Sequence, residues 1–489
     1  MSISEGAARF SSRWAMLLTM LGMAVGTGNI WRFPRIAATN GGGAFLIPWA
    51  VFLLTWSVPL LLCEFAMGKG ARRGPVGAFA SLIGEKWAWM GAWIALCATF
   101  IMFYYSVVTG WCLRYLVAAG LGEVPAAEPG AFWESYAGSG WAVLTMALSL
   151  GIGVWIVAGG VRGIERAARV LMPTLLVLVL VLAVRAVTLP GAERGLAFLF
   201  TPDLAALGNS RIWLEALTQN AWDTGAGWGL ALTYATYMRA REDTTINAFV
   251  LGFGNNSVSL LAGIMVLCTV FSIRPDAAGE IVGAGNNGLT FIWVPQLFAA
   301  MPAGRLFMAL FFLALLFAAL TSLISMIELA TRVLIDRGIE RSKAIAWVAG
   351  AAFVMGVPSA LRMGFFENQD NVWGVGLLLS GLFFALGVLR YGVDRFRQRY
   401  VNSPGSDFVI GRWWNAAMWL VTIEALVLLA WWLSQTLSEQ GWAASLDPVA
   451  TWSLGTILLQ FAIVLGLCLA FNRRLARLHG PVEPVAEDG

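Results

Sequence analysis

The sequence predicts an all-α integral membrane protein with twelve transmembrane helices, and three observations carry that prediction. Of 489 residues, 59% are apolar and only 12% charged, against roughly 25% charged in soluble domains. Apolar runs of ~20 residues, the length at which a helix crosses a bilayer, can be placed twelve times along the chain. Two of those runs, the first and the sixth, are interrupted in their middles by glycines.

In order, the spans cover 14–37, 43–69, 87–119, 141–158, 165–188, 212–238, 247–271, 304–335, 344–360, 371–392, 412–436 and 450–472. They divide the chain into an N-terminal segment (1–13), a ten-helix core (14–392), two further helices (393–472) and a tail (473–489). Basic residues alternate in density between successive loops. Arg9 and Arg13 precede span one, and Lys69, Arg72, Arg73 and Lys86 separate spans two and three. Similar clusters follow spans four, six, eight, ten and twelve, among them Arg162, Arg239, Arg337, Arg395 and Arg474. The opposite loops carry far fewer, chiefly Arg194, Arg211, Arg274 and Arg305. Cytoplasmic loops hold the excess of Lys and Arg, which puts both termini in the cytoplasm and the protein in the cell's inner or plasma membrane. The long loop 272–303 is apolar enough to pack as a lid, and the tail from Pro481 is expected to be disordered.

Composition excludes several function classes. The net charge of +4 is accounted for by the loop pattern and calls for no nucleic-acid partner. The N-terminus is polar through Ser12 and the first apolar run leads into Arg32-Phe33-Pro34, a pattern unlike a cleaved leader. Five cysteines (Cys63, Cys97, Cys112, Cys268, Cys468) all fall within apolar runs, so neither a disulfide framework nor a metal site is expected. The one histidine, His479, lies in the tail, which leaves no histidine for catalysis within the spans.

The interrupted spans point to chemistry. Gly22, Gly26 and Gly28 break the first, and Asp223-Thr224-Gly225-Ala226-Gly227-Trp228-Gly229 breaks the sixth. Irregular backbone at membrane depth is tolerated only where it lines a cavity or is buried in protein. Spans one and six are corresponding members of two five-helix halves, spans 1–5 and 6–10. Interrupted segments at matching positions mark the binding site of an inverted-repeat transporter. An aspartate at that depth is functional by default, because an unpartnered charge there is costly.

At these residues the sequence resembles the neurotransmitter:sodium symporter family, whose bacterial members carry amino acids. The resemblance runs from about Arg9 to the end of span twelve. Its densest motifs are Gly26-Thr27-Gly28-Asn29-Ile30-Trp31-Arg32-Phe33-Pro34, Asn40-Gly41-Gly42-Gly43-Ala44-Phe45, Glu64-Phe65-Ala66-Met67-Gly68, Leu320-Thr321-Ser322 and Asp370-Asn371-Val372-Trp373-Gly374. It implies two sodium sites. One comprises the Ala24 carbonyl, the side chains of Asn29, Asp223 and Asn255, and the substrate carboxylate. The other comprises the carbonyls of Gly22, Val25 and Ala318 with the hydroxyls of Thr321 and Ser322. It further implies a substrate pocket of Met23, Ala24, Thr27, Gly28, Ile101, Tyr105, Trp222, Asp223, Gly225, Trp228, Ser322 and Met326. Family members that carry monoamines place an aspartate where this chain has Gly26, so an amino acid is expected here. The walls favour a large hydrophobic or aromatic one.

Asp223 departs from the resemblance, which usually places Ser or Thr there. The positions matching a chloride site in chloride-dependent relatives are Gln219, Asp223, Asn255, Ser259 and Trp49. A fixed carboxylate balances a cation as chloride would, so no chloride requirement is expected. The resemblance also implies gates: Arg32 with Asp370 on the outside, with the Tyr105 and Trp222 rings as an aromatic lid over the substrate, and Tyr237 with Asp336 on the inside. The arginine expected to pair with Asp336 falls at Ala7, with Arg9 as a substitute, and the tryptophan expected near it is Phe10. Gly163 and Pro173 bracket either an unwinding element or a plain kink. The function implied is sodium-coupled uptake of a neutral amino acid by alternating access, as a monomer or homodimer. A sensor that binds without transport and a proton-coupled carrier of the same fold are the alternatives. A channel has no need of gates on both sides, and an enzyme lacks a nucleophile–base pair.

Overall fold

The structure, a computed structural model, describes residues 9–125, 128–403, 406 and 408–477. Ala7, His479 and most of both terminal segments lie outside the described residues. Two short helices occupy the first expected span, α1 (Arg13–Ala24) and α2 (Phe33–Thr39), joined by a π-helical turn at Gly28–Arg32. Four continuous helices follow: α3 (Gly43–Ala71), α4 (Glu85–Leu121), α5 (Gly140–Ala158) and α6 (Gly160–Val187). The sixth span is again two pieces, α7 (Ser210–Asp223) and α8 (Leu230–Ala235). The chain continues through α9 (Thr244–Ile273), α10 (Gly304–Ile335), α11 (Arg341–Leu361), α12 (Met363–Tyr391), α13 (Trp413–Ser438) and the shorter α14 (Leu454–Ala470). Among the described residues, nine of these helices are long and apolar enough to cross a membrane.

Helix starts follow local chemistry. Ser12, Asn209, Asp243 and Ser453 each accept a backbone N–H two or three residues on, satisfying donors that a helix start leaves orphaned. The tenth span was expected from residue 371, yet α12 begins at Met363. The polar run Glu367-Asn368-Gln369-Asp370 lowered the apolar signal there, but it lies within the helix and part of it faces a cavity.

α10 and α4 share the most extensive packing seam and act as a scaffold behind the two broken spans. The outward faces of α5, α6 and α13 expose Trp155, Val170 and Ile423, an apolar surface too broad for a protein in water and suited to lipid. The 272–303 connection packs as short helical segments. Its Phe291 is fully buried against Trp31, Trp111 and the stacked ring of Trp133.

Candidate functional site

α1 ends where Val25 turns extended (φ −73°, ψ 100°). The Gly26 N–H, freed from the helix ladder, donates to Asn29 Oδ1 at 2.7 Å. The glycines here permit close approach. A Cβ on Gly26 would lie 2.8 Å from Ser322 Oγ, and one on Gly22 3.3 Å from Thr321 Cβ. Thr27 donates through both N–H and hydroxyl to the Tyr105 hydroxyl, at 3.2 and 3.1 Å. Ser322 Oγ reaches the Met23 carbonyl at 3.5 Å. The break in α1 is thereby stitched to α4 and α10.

The second break is held differently. Gly225, Gly227 and Gly229 sit at φ +69°, +89° and +79°, a backbone region that other residues enter only under strain. Glu64, buried on α3, accepts the Gly227 N–H at 2.7 Å and the Leu232 N–H at 3.0 Å. One carboxylate spans the unwound segment and the first turn of α8. Glu64 was visible in the sequence as an ionisable residue in an apolar run, but its partners were not.

Between the breaks lies a polar cluster. Asn29 Nδ2 donates to Asn255 Oδ1 (2.9 Å) and to Ser259 Oγ (2.8 Å), and Ser259 donates to Asp223 Oδ2 at 2.6 Å. Asp223 Oδ1 is buried and receives no hydrogen bond. A buried carboxylate oxygen left without a donor suits a cation. The Asn29 and Asn255 oxygens are engaged by protein donors in this arrangement. Gln219 belongs to the same group, but its Oε1 accepts from Arg32. Trp49 does not join it: its indole lies on Phe33, with centroids 4.6 Å apart, and its carbonyl accepts from Asn220. On α10, Thr321 donates to the Phe317 and Ala318 carbonyls, both at 3.0 Å. Its oxygen lone pairs remain available beside Gly22.

A cavity of about 90 Å³ opens at the breaks. Eleven of the twelve expected pocket residues line it. The twelfth, Ile101, is fully buried on α4 away from the cavity wall. Tyr104 and Val108 of the same helix line it, with Asn286 of the 272–303 connection and Phe366 of α12; none of these four was singled out from the sequence. Arg32 and Asp370 both face the cavity without forming an ion pair. Arg32 donates to Gln219 at 2.9 Å and lies over the Trp222 ring. That ring fills the place of a side chain on Gly374, whose Cβ would come within 2.2 Å of it. Arg35 fastens the 272–303 connection by donating to Asn286 Oδ1 at 2.6 Å.

At the opposite end, Tyr237 donates to Glu328 at 2.5 Å, and Arg341 reaches the same carboxylate at 2.5 Å. Asp336 pairs with Arg332 and accepts the Gly74 N–H at 2.7 Å. Tyr237 and Asp336 share this cluster but touch through Arg332 rather than directly. Phe10 packs edge-on against Tyr234 and Tyr237.

The model of the sodium:neurotransmitter symporter family matches residues 7–138 and 132–475. The chain belongs to that family. An uncharacterised sodium-dependent transporter of Methanocaldococcus jannaschii is 33% identical over 429 residues, covering 83% of this chain and 86% of the relative. The sodium-dependent serotonin transporter of Drosophila melanogaster is 28% identical over 499 residues, covering 88% and 79%. Among solved structures, MhsT in complex with L-phenylalanine superposes with a TM-score of 0.78 at 30% identity, covering 87% of this chain and 99% of that one. The fold is that of the family's transporters, and the protein is a multi-pass membrane transporter whose family couples transport to sodium. The relatives are transporters, not enzymes.

Proposed function

We propose that this symporter takes up a neutral, large hydrophobic or aromatic amino acid with sodium, by alternating access, with both termini in the cytoplasm. The observation that carries the reading is the convergence of both backbone breaks on one cavity, with a carboxylate oxygen of Asp223 that accepts no hydrogen bond at its polar wall. Two sodium ions are cargo. One binds at Asp223, Asn29, Asn255 and the Ala24 carbonyl, the other among Gly22, Val25, Ala318, Thr321 and Ser322. Neutral oxygens in a dry setting replace the ion's hydration shell. The first site requires the Asn29 amide to turn its oxygen from Gly26 toward the ion.

The substrate carboxylate sits at the Gly28 N–H and the Tyr105 hydroxyl. A side chain on Gly26 would strike Ser322, so this position offers no counter-charge for an amine. Trp222, Trp228, Met23 and Met326 supply apolar walls, and the L-phenylalanine bound by MhsT supports an aromatic substrate. Asp223, hydrogen-bonded to Ser259, supplies the fixed negative charge beside sodium, so uptake needs no chloride.

The test is uptake of labelled L-phenylalanine into proteoliposomes under an inward sodium gradient, with potassium as control. Sodium-driven accumulation that survives replacement of chloride by gluconate is the expected result. Binding without accumulation identifies a sensor, accumulation on a pH gradient alone removes the sodium sites, and collapse in gluconate removes the role given to Asp223.

A further inference from the structure

On the cytoplasmic side, five elements meet below the cavity: the start of α1, the ends of α3, α8 and α10, and the start of α11. Asp336, at the end of α10, has both carboxylate oxygens engaged. Oδ1 lies 2.9 Å from Arg332 Nε, one turn earlier on the same helix, and Oδ2 accepts the Gly74 N–H. Arg332 does more than neutralise it. Its Nη2 donates to the Arg72 carbonyl at 2.7 Å, and its guanidinium lies over the Tyr237 ring, 5.5 Å from the centroid. Arg72 in turn donates to the Thr236 and Met238 carbonyls at the end of the broken sixth span. The Phe10 N–H donates to the Tyr237 carbonyl at 3.1 Å. Glu328 adds a second tie, joining Tyr237 to Arg341, which also holds the Val157 carbonyl at 2.8 Å.

We infer that the cytoplasmic latch takes its cation from the scaffold helix itself: Arg332, pairing in cis with Asp336, fastens α10 to the end of α3 and to Tyr237. The N-terminal segment is fastened to the same end through the Phe10 N–H on the Tyr237 carbonyl and through Ser11, whose N–H donates to Glu165 and whose two oxygens accept from Arg169 and Arg239. An arginine is needed for this, because only a planar fork with several donors can face a carboxylate, a carbonyl and a ring face together. The inference rests on the alternating-access reading, since a latch matters only if this end opens. Arg332 is a positioning residue; it touches neither cavity nor cargo.

The test is hydrogen–deuterium exchange of the full chain in lipid nanodiscs, in sodium and in potassium. It follows peptides covering residues 10–24 and 236–243. Local opening is what such exchange reports. Arg332→Ala should raise exchange in both peptides several-fold in sodium, and Asp336→Asn should do the same. The double variant should show no more than either alone, because both remove one pair. Arg332→Lys, which keeps the charge without the fork, should fall between. Unchanged exchange in Arg332→Ala overturns the inference. Should Arg332→Ala lose its monodisperse form, Asp336→Asn and Arg332→Lys carry the test, and no rise in either overturns it. The measurement needs no substrate, so failure of L-phenylalanine uptake would remove the transport reading without touching this result.

Discussion

The two backbone breaks look alike in sequence, each with glycines at short spacing beside a polar residue, yet they need glycine for opposite reasons. In the first, none of Gly22, Gly26 and Gly28 has a positive φ. What the missing side chains of Gly22 and Gly26 provide is room, since Met172 and Thr321 come in against the first and Ser322 and Tyr105 against the second. In the second, Gly225, Gly227 and Gly229 all adopt positive φ, and the chain conformation itself excludes a Cβ. The first break is shaped by what packs on it, the second by its own backbone and by Glu64. A break shaped by its neighbours can respond to a ligand among those neighbours. A break built into the backbone keeps its shape. The cavity thus has one adaptable wall and one stiff wall.

The largest effect should come from removing what holds the stiff wall. Glu64→Ala leaves the Gly227 and Leu232 N–H groups buried without an acceptor, at about 1–3 kcal/mol each. The variant should unfold many degrees earlier by thermal-shift gel filtration in detergent, or fail to accumulate folded protein. Glu64→Gln keeps one acceptor oxygen and should lie midway. A Glu64→Ala protein as stable as the unaltered chain would remove Glu64 from this role.

Next in size is Gly227→Ala. Forcing an alanine to φ +89° costs roughly 1–2 kcal/mol. Its Cβ would also meet the Gly381 Cα at 3.0 Å, a contact with backbone that no rotamer change relieves. A lowered unfolding temperature is expected, with sodium-dependent binding of L-phenylalanine lost in proportion to the folded fraction. Unfolding that matches the unaltered protein would contradict the backbone account of the second break.

Much of this architecture is readable from residues. Apolar runs, glycine breaks and an aspartate at membrane depth are local signals, and they lead to the fold; the expected pocket set comes from the family resemblance, and eleven of its twelve residues line the cavity. What does not read out is partner choice. Arg32 stands beside Gln219 rather than Asp370 because the two candidates lie 187 and 338 positions away, and only packing ranks them. Ile101 shares a helix face with Tyr105, but helical periodicity alone does not say how deep the cavity reaches along that face. Arg332 sits in a run that reads as plain span eight. Its i,i+4 relation to Asp336 is ordinary on any helix surface, and its importance comes from Arg72 and Tyr237, which tertiary structure brings to it. Glycine spacing likewise does not distinguish a residue that needs space from one that needs a left-handed backbone.

That distinction is most sharply tested at the adaptable wall, where the effect on stability should be smallest. Gly26 has an ordinary backbone, so Gly26→Ala carries no conformational penalty, but its Cβ would sit 2.8 Å from Ser322 Oγ and 3.2 Å from the Tyr105 hydroxyl. Ser322 is the lighter of the two and would rotate away from the Met23 carbonyl it now meets, so the crowding is taken up by a local side-chain shift. That strain falls on groups proposed to hold sodium and substrate. Affinity should therefore drop on the order of tenfold or more, while the unfolding temperature measured without ligand hardly moves. Gly28→Ala, whose Cβ meets nothing closer than Asp223 Oδ1 at 3.5 Å, should be milder in both respects. Equal losses of stability in Gly26→Ala and Gly227→Ala would mean that both breaks are set by backbone alone, and the contrast between the two walls would disappear.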